Sequence, residues 1–387
     1  MTRPRAALLN AHFSANLGDG LLSDSLMFGL KEHLDSFPVD LAARETISTL
    51  GGSRRGQIIK GLNALPSPIR SFLISRIQAH LLKTKWQPHF AKYLVDCDLV
   101  IVGGGNLIAD QDLNFPVKIS AAIEETIRLG KPCFIYAVGV GSHFSQKGKA
   151  MFDDAFRRAD LRGVYVRDEK SRRNWNKNFS SSSGHAATVV WDPGLISSLC
   201  WPEEKLTTNL PIRVGIISPN ELVYHGSKMD VLNLTAWYGT FISQLAESGQ
   251  PVRLFSNGSP EDTRYLVEEI ASIFPAIPYD LPENQEKLAR LVARSSLVSA
   301  FRLHALIPAV SYKCPILALA WDEKVRSFAE KIGSPTVCID VKKTDPKEAA
   351  DLVVAEMKTQ RNYTQHIEDA GLEIDAFAKQ IKMEIFR

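Results

Sequence analysis

Nowhere in the 387 residues does an apolar run approach the roughly 20 residues that a membrane-spanning helix needs. The N-terminus also lacks the long apolar core of a secretory signal, so a cytoplasmic protein is expected. Cysteine is scarce: Cys97, Cys133, Cys200, Cys314 and Cys338 are five, an odd number, scattered and in no metal-ligand spacing. That argues against a disulfide framework and against a resident metal. Cys133, Cys314 and Cys338 lie in apolar, strand-like runs and read as buried thiols of a reducing compartment. Charge excess is missing too. Lys plus Arg number 46 against 43 Asp plus Glu, a net charge of +3, which argues against a chain-wide nucleic-acid surface. There is no short internal repeat and no low-complexity tract. The G-x-G-x-x-G fingerprint is absent, which discounts a nicotinamide dinucleotide. One absence is local. Between Glu45 and Asp96 there is no acidic residue, and the interval holds Arg54, Arg55, Lys60, Arg70, Arg76, Lys83, Lys85 and Lys92.

What is present is a hydrophobic share of 45%, enough for real cores, on a chain long enough for two domains. Short apolar runs alternate with helical spacing. Strands are expected at Ala6–Leu9, Leu99–Val102, Cys133–Val138, Gly163–Val166, Arg213–Ile217, Val252–Phe255, Leu297–Ala300, Ile316–Ala320 and Thr336–Ile339. Helical patterns lie between them, for example Leu21–Leu34, Ile119–Leu129, Met151–Ala159, Leu234–Glu247 and Thr263–Ile273. The polar stretch Cys200–Pro211, with two prolines and no periodicity, is the expected joint. The expectation is an α/β protein of two parallel-sheet domains, 1–200 and 201–345, followed by C-terminal helices in 346–387.

The chemistry collects at the ends of strands, the edge where open α/β sheets bind ligands. Ala300 is followed by Arg302-Leu303-His304, and the next strand by Asp322, Glu323 and Lys324. Arg302 offers a planar fork for a carboxylate or phosphate, and His304 a proton near neutral pH. The alternative is that both merely cap a helix. Arg167 stands at another strand end, either as a ligand-binding cation or in a surface salt bridge to Asp168 or Glu169. Gly103-Gly104-Gly105-Asn106 follows an apolar strand, where glycines let backbone N–H groups approach a ligand, though a tight turn would also use them. Asn16 and Asp19, in the loop Ser14–Gly20, either hold sugar hydroxyls or act as turn residue and helix cap.

Five pieces occur in order: Asn16-Leu17-Gly18-Asp19, Gly103-Gly104-Gly105, Arg167-Asp168-Glu169-Lys170-Ser171, Asp192-Pro193, and Arg302-Leu303-His304 with Pro315 and Lys324 downstream. Together they resemble the polysaccharide pyruvyl transferase family over roughly Asn10 to Gly333. The resemblance implies a glycosyltransferase-B-like fold, two Rossmann-like domains facing across a cleft. It implies transfer of pyruvate from phosphoenolpyruvate to two hydroxyls of a sugar, in a cell-surface or exopolysaccharide precursor, as a cyclic ketal. Arg167 and Arg302 match the family's donor-binding arginines and His304 its general acid. Lys324 would help neutralise the phosphate, and Asn16, Asp19, Gly104, Gly105 and Asn106 would line the substrate site. The first domain would take the acceptor, a sugar or lipid-linked oligosaccharide, and the second the phosphoenolpyruvate. No metal and no organic cofactor is expected, and no nucleic acid. Residues two apart do not share a helix face, so Arg302 must precede its helix if it and His304 are to reach one ligand.

Two rival readings stand beside this one. A glycosyltransferase of the same fold would use a nucleotide-sugar donor. A non-catalytic sugar-binding relative would be expected to lose His304 or both arginines. The basic interval, over 54–85, carries its own alternatives. Ile69, Phe72, Leu73, Ile77 and Leu81 fall on one side of a helical pattern, with Arg70, Arg76 and Lys83 off it. Such a helix lies on the inner face of an anionic membrane as a peripheral contact, packs its stripe on the first domain, or brings its charges to an anionic acceptor.

Overall fold

The computed structural model describes residues 3–47, 67–110, 112–204, 209–224, 231–320 and 323–385, with backbone alone at 67–72, 221, 223–224 and 231–233. Arg54, Arg55, Lys60 and Asp322 therefore lie outside the described residues, as do the side chains of Ile69, Arg70 and Phe72.

Twelve strands are seen among the described residues, in two sheets whose neighbours all pair in parallel. The first sheet runs β2 (Asp35–Asp40), β1 (Arg5–Asn10), β3 (Leu99–Gly103), β4 (Cys133–Val138), β5 (Leu161–Val166), β6 (Thr188–Val189). The second runs β12 (Cys338–Asp340), β11 (Ile316–Ala320), β10 (Leu297–Ala300), β7 (Ile212–Gly215), β8 (Val252–Phe255), β9 (Tyr279–Asp280). Counted within its own half, the second sheet has the dinucleotide-fold order 3-2-1-4-5-6 and the first begins 2-1-3-4-5, the flavodoxin-like order. Both are Rossmann-like, as expected. Chain order reverses direction between β1 and β3 in one and between β7 and β10 in the other. A crevice opens outside the strand ends at such a point.

The central strands are apolar throughout because helices cover both faces. Leu99–Gly103, Cys133–Val138 and Ile316–Ala320 are buried at every position. Each sheet has its own core. One contains Val100, Val102, Ile135, Phe152, Phe156 and Trp175. The other contains Val214, Tyr238, Phe241, Leu254, Phe301 and Leu319. Three strands, β2, β6 and β9, are not foreseen by the sequence patterns. β2 carries Pro38, which cannot donate to a ladder and is tolerated because β2 is an edge strand. β9 is only two residues long.

The chain forms two compact units that do not divide at one cut. One comprises Met1–Ser14, Leu22–Pro193 and Ala370–Arg387, the other Ala15–Leu21 and Gly194–Asp369. The joint expected at Cys200–Pro211 stands inside the second unit. Ser198 N–H donates to Ser311 Oγ at 2.9 Å and Tyr312 Oη donates to the Trp201 carbonyl at 2.6 Å, so the chain from Ser198 to Trp201 packs on this unit, whereas residues 205–208 of the expected joint lie outside the described residues. The expected C-terminal segment 346–387 is shared out. The helix Pro346–Glu356 belongs to the second unit. Phe377, in the last helix Thr364–Ile385, stacks on Tyr136 at 4.2 Å in the first.

In the basic interval the helix Ser67–Leu81 runs through a π-turn at Leu82–Trp86 into Gln87–Leu94. Pro68 and Pro88 both sit in first turns, where a missing N–H costs nothing. The expected apolar stripe is divided. Leu81 packs against the first core, whereas Leu73 and Ile77 are 36% and 45% exposed.

Candidate functional site

The second unit assembles a charged strand edge. β10 ends at Ala300, and Arg302 follows as the N-cap of the helix Leu303–Ser311 with extended backbone, φ −81° and ψ 115°. Arg302 thus precedes the helix and His304 is its second residue, which frees the two side chains from helical divergence. Arg302 does not stand alone. Its Nε and Nη2 both donate to Asp262 Oδ2, at 2.9 and 2.6 Å. Asp262 is fully buried, and its Oδ1 accepts the Ser218 N–H at 2.8 Å. Ser218 follows β7, and Asp262 lies in the helix Pro260–Tyr265 that follows β8. One carboxylate therefore ties the ends of three neighbouring strands and fixes the plane of the guanidinium. Asp262 is absent from the sequence reading, where it is one acid in the first turn of a helix and 40 residues from its partner.

His304 is likewise oriented by a carboxylate. Its Nδ1 lies 3.1 Å from Asp19 Oδ1. Asp19 is in the first turn of the helix Leu17–Leu30, where the helix dipole also favours an acid. The approach requires glycine at position 18: a Cβ there would overlap His304 Cβ and stand 2.9 Å from its Cγ. Asn16 is half-buried, and its carbonyl accepts the Asp19 N–H at 3.1 Å, closing the turn that opens the helix. Asn16 and Asp19, expected on the acceptor side in the first domain, group with the second unit. Lys324 is the second residue of the helix Glu323–Lys331 after β11 and is half-buried.

The first unit holds Arg167, Gly104, Gly105 and Asn106. Gly104 and Gly105 have φ of +74° and +77°, the left-handed region that favours glycine, as β3 turns away at the switch point. Arg167, just past β5, is 5% exposed, with Nε 3.4 Å from Asp168 Oδ2. Asp168 also caps the helix Glu169–Asn178, accepting the Ser171 N–H at 2.7 Å. The alternative salt bridge is thus partly realised, but the side chain is buried rather than on the surface. Its position owes much to backbone shape. The β4–β5 register breaks between Ile135 and Val138, and Ala137 sits at φ +53°, a conformation that costs a non-glycine residue about 1–2 kcal/mol. Past this bulge, a Cβ on Gly139 would lie 2.5 Å from Asn106 Oδ1 and 2.8 Å from Arg167 Nη2. Asn106 and Arg167 therefore meet over Gly139.

A further group of titratable residues stands beyond β1. His12 Nδ1 is 2.9 Å from Ser23 Oγ and 3.7 Å from Asp24 Oδ1. Burial pushes the Asp24 carboxyl up to about 7. Burial also lowers the His12 imidazole, against a smaller upward pull from Asp40. Neither residue is prominent in the sequence patterns. Asp24 is one acid within the helical pattern Leu21–Leu34, and His12 is a lone histidine in a loop.

Among solved structures, the chain is similar in fold to three UDP-GlcNAc 2-epimerases. That of Methanocaldococcus jannaschii, in complex with UDP-GlcNAc and UDP, has a TM-score of 0.58 at 9% identity, over 99% of this chain and 100% of that one. Those of Neisseria meningitidis, bound to UDP-GlcNAc, and Rickettsia bellii have TM-scores of 0.55 at 11% identity. They cover 99% and 100% of this chain and 99% and 96% of theirs. This likeness places the two Rossmann-like units in the glycosyltransferase-B-like fold class and carries nothing about substrate. No curated protein matches the chain in sequence. The family model for polysaccharide pyruvyl transferase matches residues 16–323, a span that runs from the loop carrying Asp19 through Arg167 and His304 to the head of the helix at Glu323. The chain belongs to the polysaccharide pyruvyl transferase family.

Proposed function

We propose that this protein transfers pyruvate from phosphoenolpyruvate to two hydroxyls of a sugar, forming a ketal in a cell-surface or exopolysaccharide precursor. The observation that carries this reading is the pair of oriented groups after β10: His304 on Asp19 and Arg302 on Asp262. A carboxylate against Nδ1 keeps a proton on that nitrogen and leaves Nε2 to carry the exchangeable one. The Nε2 proton goes to C3 of the donor, making C2 electrophilic. One sugar oxygen bonds to C2 and its proton returns to His304, the C2–O bond to phosphate breaks, and the second hydroxyl oxygen bonds to C2 to close the ketal, its proton leaving with the phosphate. Arg302, fixed in plane by Asp262, faces the donor's planar carboxylate or its phosphate. Arg167 is the second donor-binding cation by its family match, and Lys324 helps neutralise the phosphate. Gly104, Gly105 and Asn106 serve the acceptor. No step is routed through a metal ion or an organic cofactor, since the cations of the chain supply the charge.

We place the protein in a reducing cytoplasm, in keeping with five free thiols. No described helix is long and apolar enough to cross a membrane. We assign a peripheral membrane contact to the exposed Leu73 and Ile77 and the basic residues around them.

The test is incubation with phosphoenolpyruvate and a panel of free, nucleotide-linked and lipid-linked sugars, following phosphate release. Acceptor-dependent release is expected. A thermal shift with UDP, with no phosphate released from phosphoenolpyruvate by any acceptor, would move the assignment to a nucleotide-sugar enzyme. Binding of sugars with neither result would make it a non-catalytic relative.

A further inference from the structure

The segment after β8 is unusual for a loop. Ser256, Asn257 and Ser259 are 1%, 2% and 7% exposed, whereas connecting segments ordinarily run over the surface, where water satisfies their polar groups. Here the partners are internal. Ser256 Oγ is 2.6 Å from Thr263 Oγ1 and accepts the Gly258 N–H at 3.0 Å. The Asn257 carbonyl accepts the Leu17 N–H at 2.8 Å. Gly258 has φ +91°, and a Cβ on it would lie 2.5 Å from the Ala15 carbonyl oxygen. The loop is therefore held from several sides. It lies against the segment that brings Asp19 to His304, and it leads directly into the helix whose Asp262 holds Arg302.

In this ordered frame one group is unmatched. Asn257 Nδ2 is buried and has no acceptor among the described residues. A buried amide donor without a partner is costly, and such groups are uncommon in folded proteins. The amide nitrogen can only donate. The side chains at the same strand edge, a guanidinium and an imidazole, also present donors, so the ligand class that satisfies all of them is an oxyanion.

We infer that Asn257 is an oxyanion-binding residue whose Nδ2–H completes the contacts of a phosphate or carboxylate group held at the Arg302–His304 edge. The inference rests on the reading of that edge as the donor site. It adds a neutral donor set by the loop backbone to the two charged ones.

The experiment is calorimetric titration of the parent, Asn257→Leu and Asn257→Asp with phosphoenolpyruvate, inorganic phosphate and pyruvate. Leucine has nearly the volume of asparagine and leaves no polar atom behind. Loss of one hydrogen bond to an anion is expected to raise the phosphoenolpyruvate Kd about 10- to 100-fold in Asn257→Leu. The Tm should hold or rise, because an unmatched polar group has gone. Asn257→Asp puts a carboxylate against the anion and should bind more weakly still. Weakening shared with phosphate but not pyruvate assigns the contact to the phosphate group, and the reverse assigns it to the carboxylate. The Asn257 side-chain amide signal, identified by its loss in Asn257→Leu, should shift in the parent on adding phosphoenolpyruvate. Equal Kd values in parent and variants, with turnover intact, overturn the inference and leave the donor reading standing. A Tm several degrees lower in Asn257→Leu also overturns it, by making the residue structural. A parent that binds inorganic phosphate but not phosphoenolpyruvate overturns the donor reading, and the phosphate Kd of Asn257→Leu then decides the inference alone.

Discussion

Arg167 and Arg302 each follow the end of a strand in similar parallel sheets, yet they are held in place by different physics. Arg302 is fixed electrostatically, by two N–H groups on one oxygen of a fully buried carboxylate distant in sequence. Arg167 also depends on shape. A bulge at Ala137 and the missing side chain of Gly139 make the space its guanidinium fills, and its sequence neighbour Asp168 stands 3.4 Å from its Nε. A long-range ion pair can be broken by one charge change. A steric seat can be broken only by filling it.

The glycines give the largest contrast. At Gly18 the obstacle is the stem of His304, which moves only with its backbone. At Gly139 the obstacles are the far ends of Asn106 and Arg167, which can give way. Gly18→Ala should lower phosphoenolpyruvate-dependent phosphate release about 100-fold, the scale of an ångström's misplacement. Gly139→Ala should cost clearly less. Equal losses in steady-state assays would erase the distinction.

The carboxylates come next. Asp262→Asn leaves Arg302 in a buried setting without its counter-charge and should cost about 3–5 kcal/mol by denaturant unfolding. Asp168→Asn keeps a good helix N-cap and should stay within about 1 kcal/mol of the parent. Two similar losses would mean that both arginines are held in the same way.

A pH effect of smaller size belongs to the first unit. With its carboxyl raised to about 7, native Asp24 keeps a proton that the unfolded chain has released above about pH 4. Its contribution to stability is therefore present at low pH and lost as pH rises through that window. Asp24→Asn should raise Tm relative to the parent at pH 8 and match it at pH 4. His12, lowered by burial, acts in the opposite sense as pH falls, and it is present in parent and variant alike. A difference independent of pH would contradict the assignment.

The smallest effect concerns the surface. Leu73 and Ile77, one helical turn apart, are exposed, and Arg76, His80, Lys83 and Lys85 around them are exposed too. Basic side chains near an anionic leaflet contribute about 1 kcal/mol each. The protein should sediment with anionic vesicles at low salt, but not with neutral vesicles or at high salt. The double variant Leu73→Gln, Ile77→Gln should stay in solution with turnover unchanged. A parent that ignores anionic vesicles at low salt would return this helix to a plain solvated face.

Much of this architecture is legible in the sequence because a parallel strand buried on both faces is a short apolar run, and such runs are hard to mistake. The edge strands escape notice because an edge tolerates Pro38 and needs few residues. Arg302 and His304 are legible for a related reason: a charge directly after an apolar run is at a strand end. Their partners are not. Nothing local in Asp262 says that it is buried, and nothing in Ala137 says that it adopts a left-handed backbone. Asp19 reads as a sugar ligand or a cap, and only folding brings His304 to it across a gap that Gly18 leaves open.

The central claim is that His304, oriented by Asp19, delivers the proton that starts transfer. The most direct measurement is to compare the parent with His304→Gln in phosphoenolpyruvate titration and in phosphate release with an active acceptor. The Kd should stay within a few-fold of the parent while turnover falls about 100- to 10,000-fold, the range for loss of a general acid. Turnover near that of the parent in His304→Gln, with phosphoenolpyruvate still bound, would contradict it.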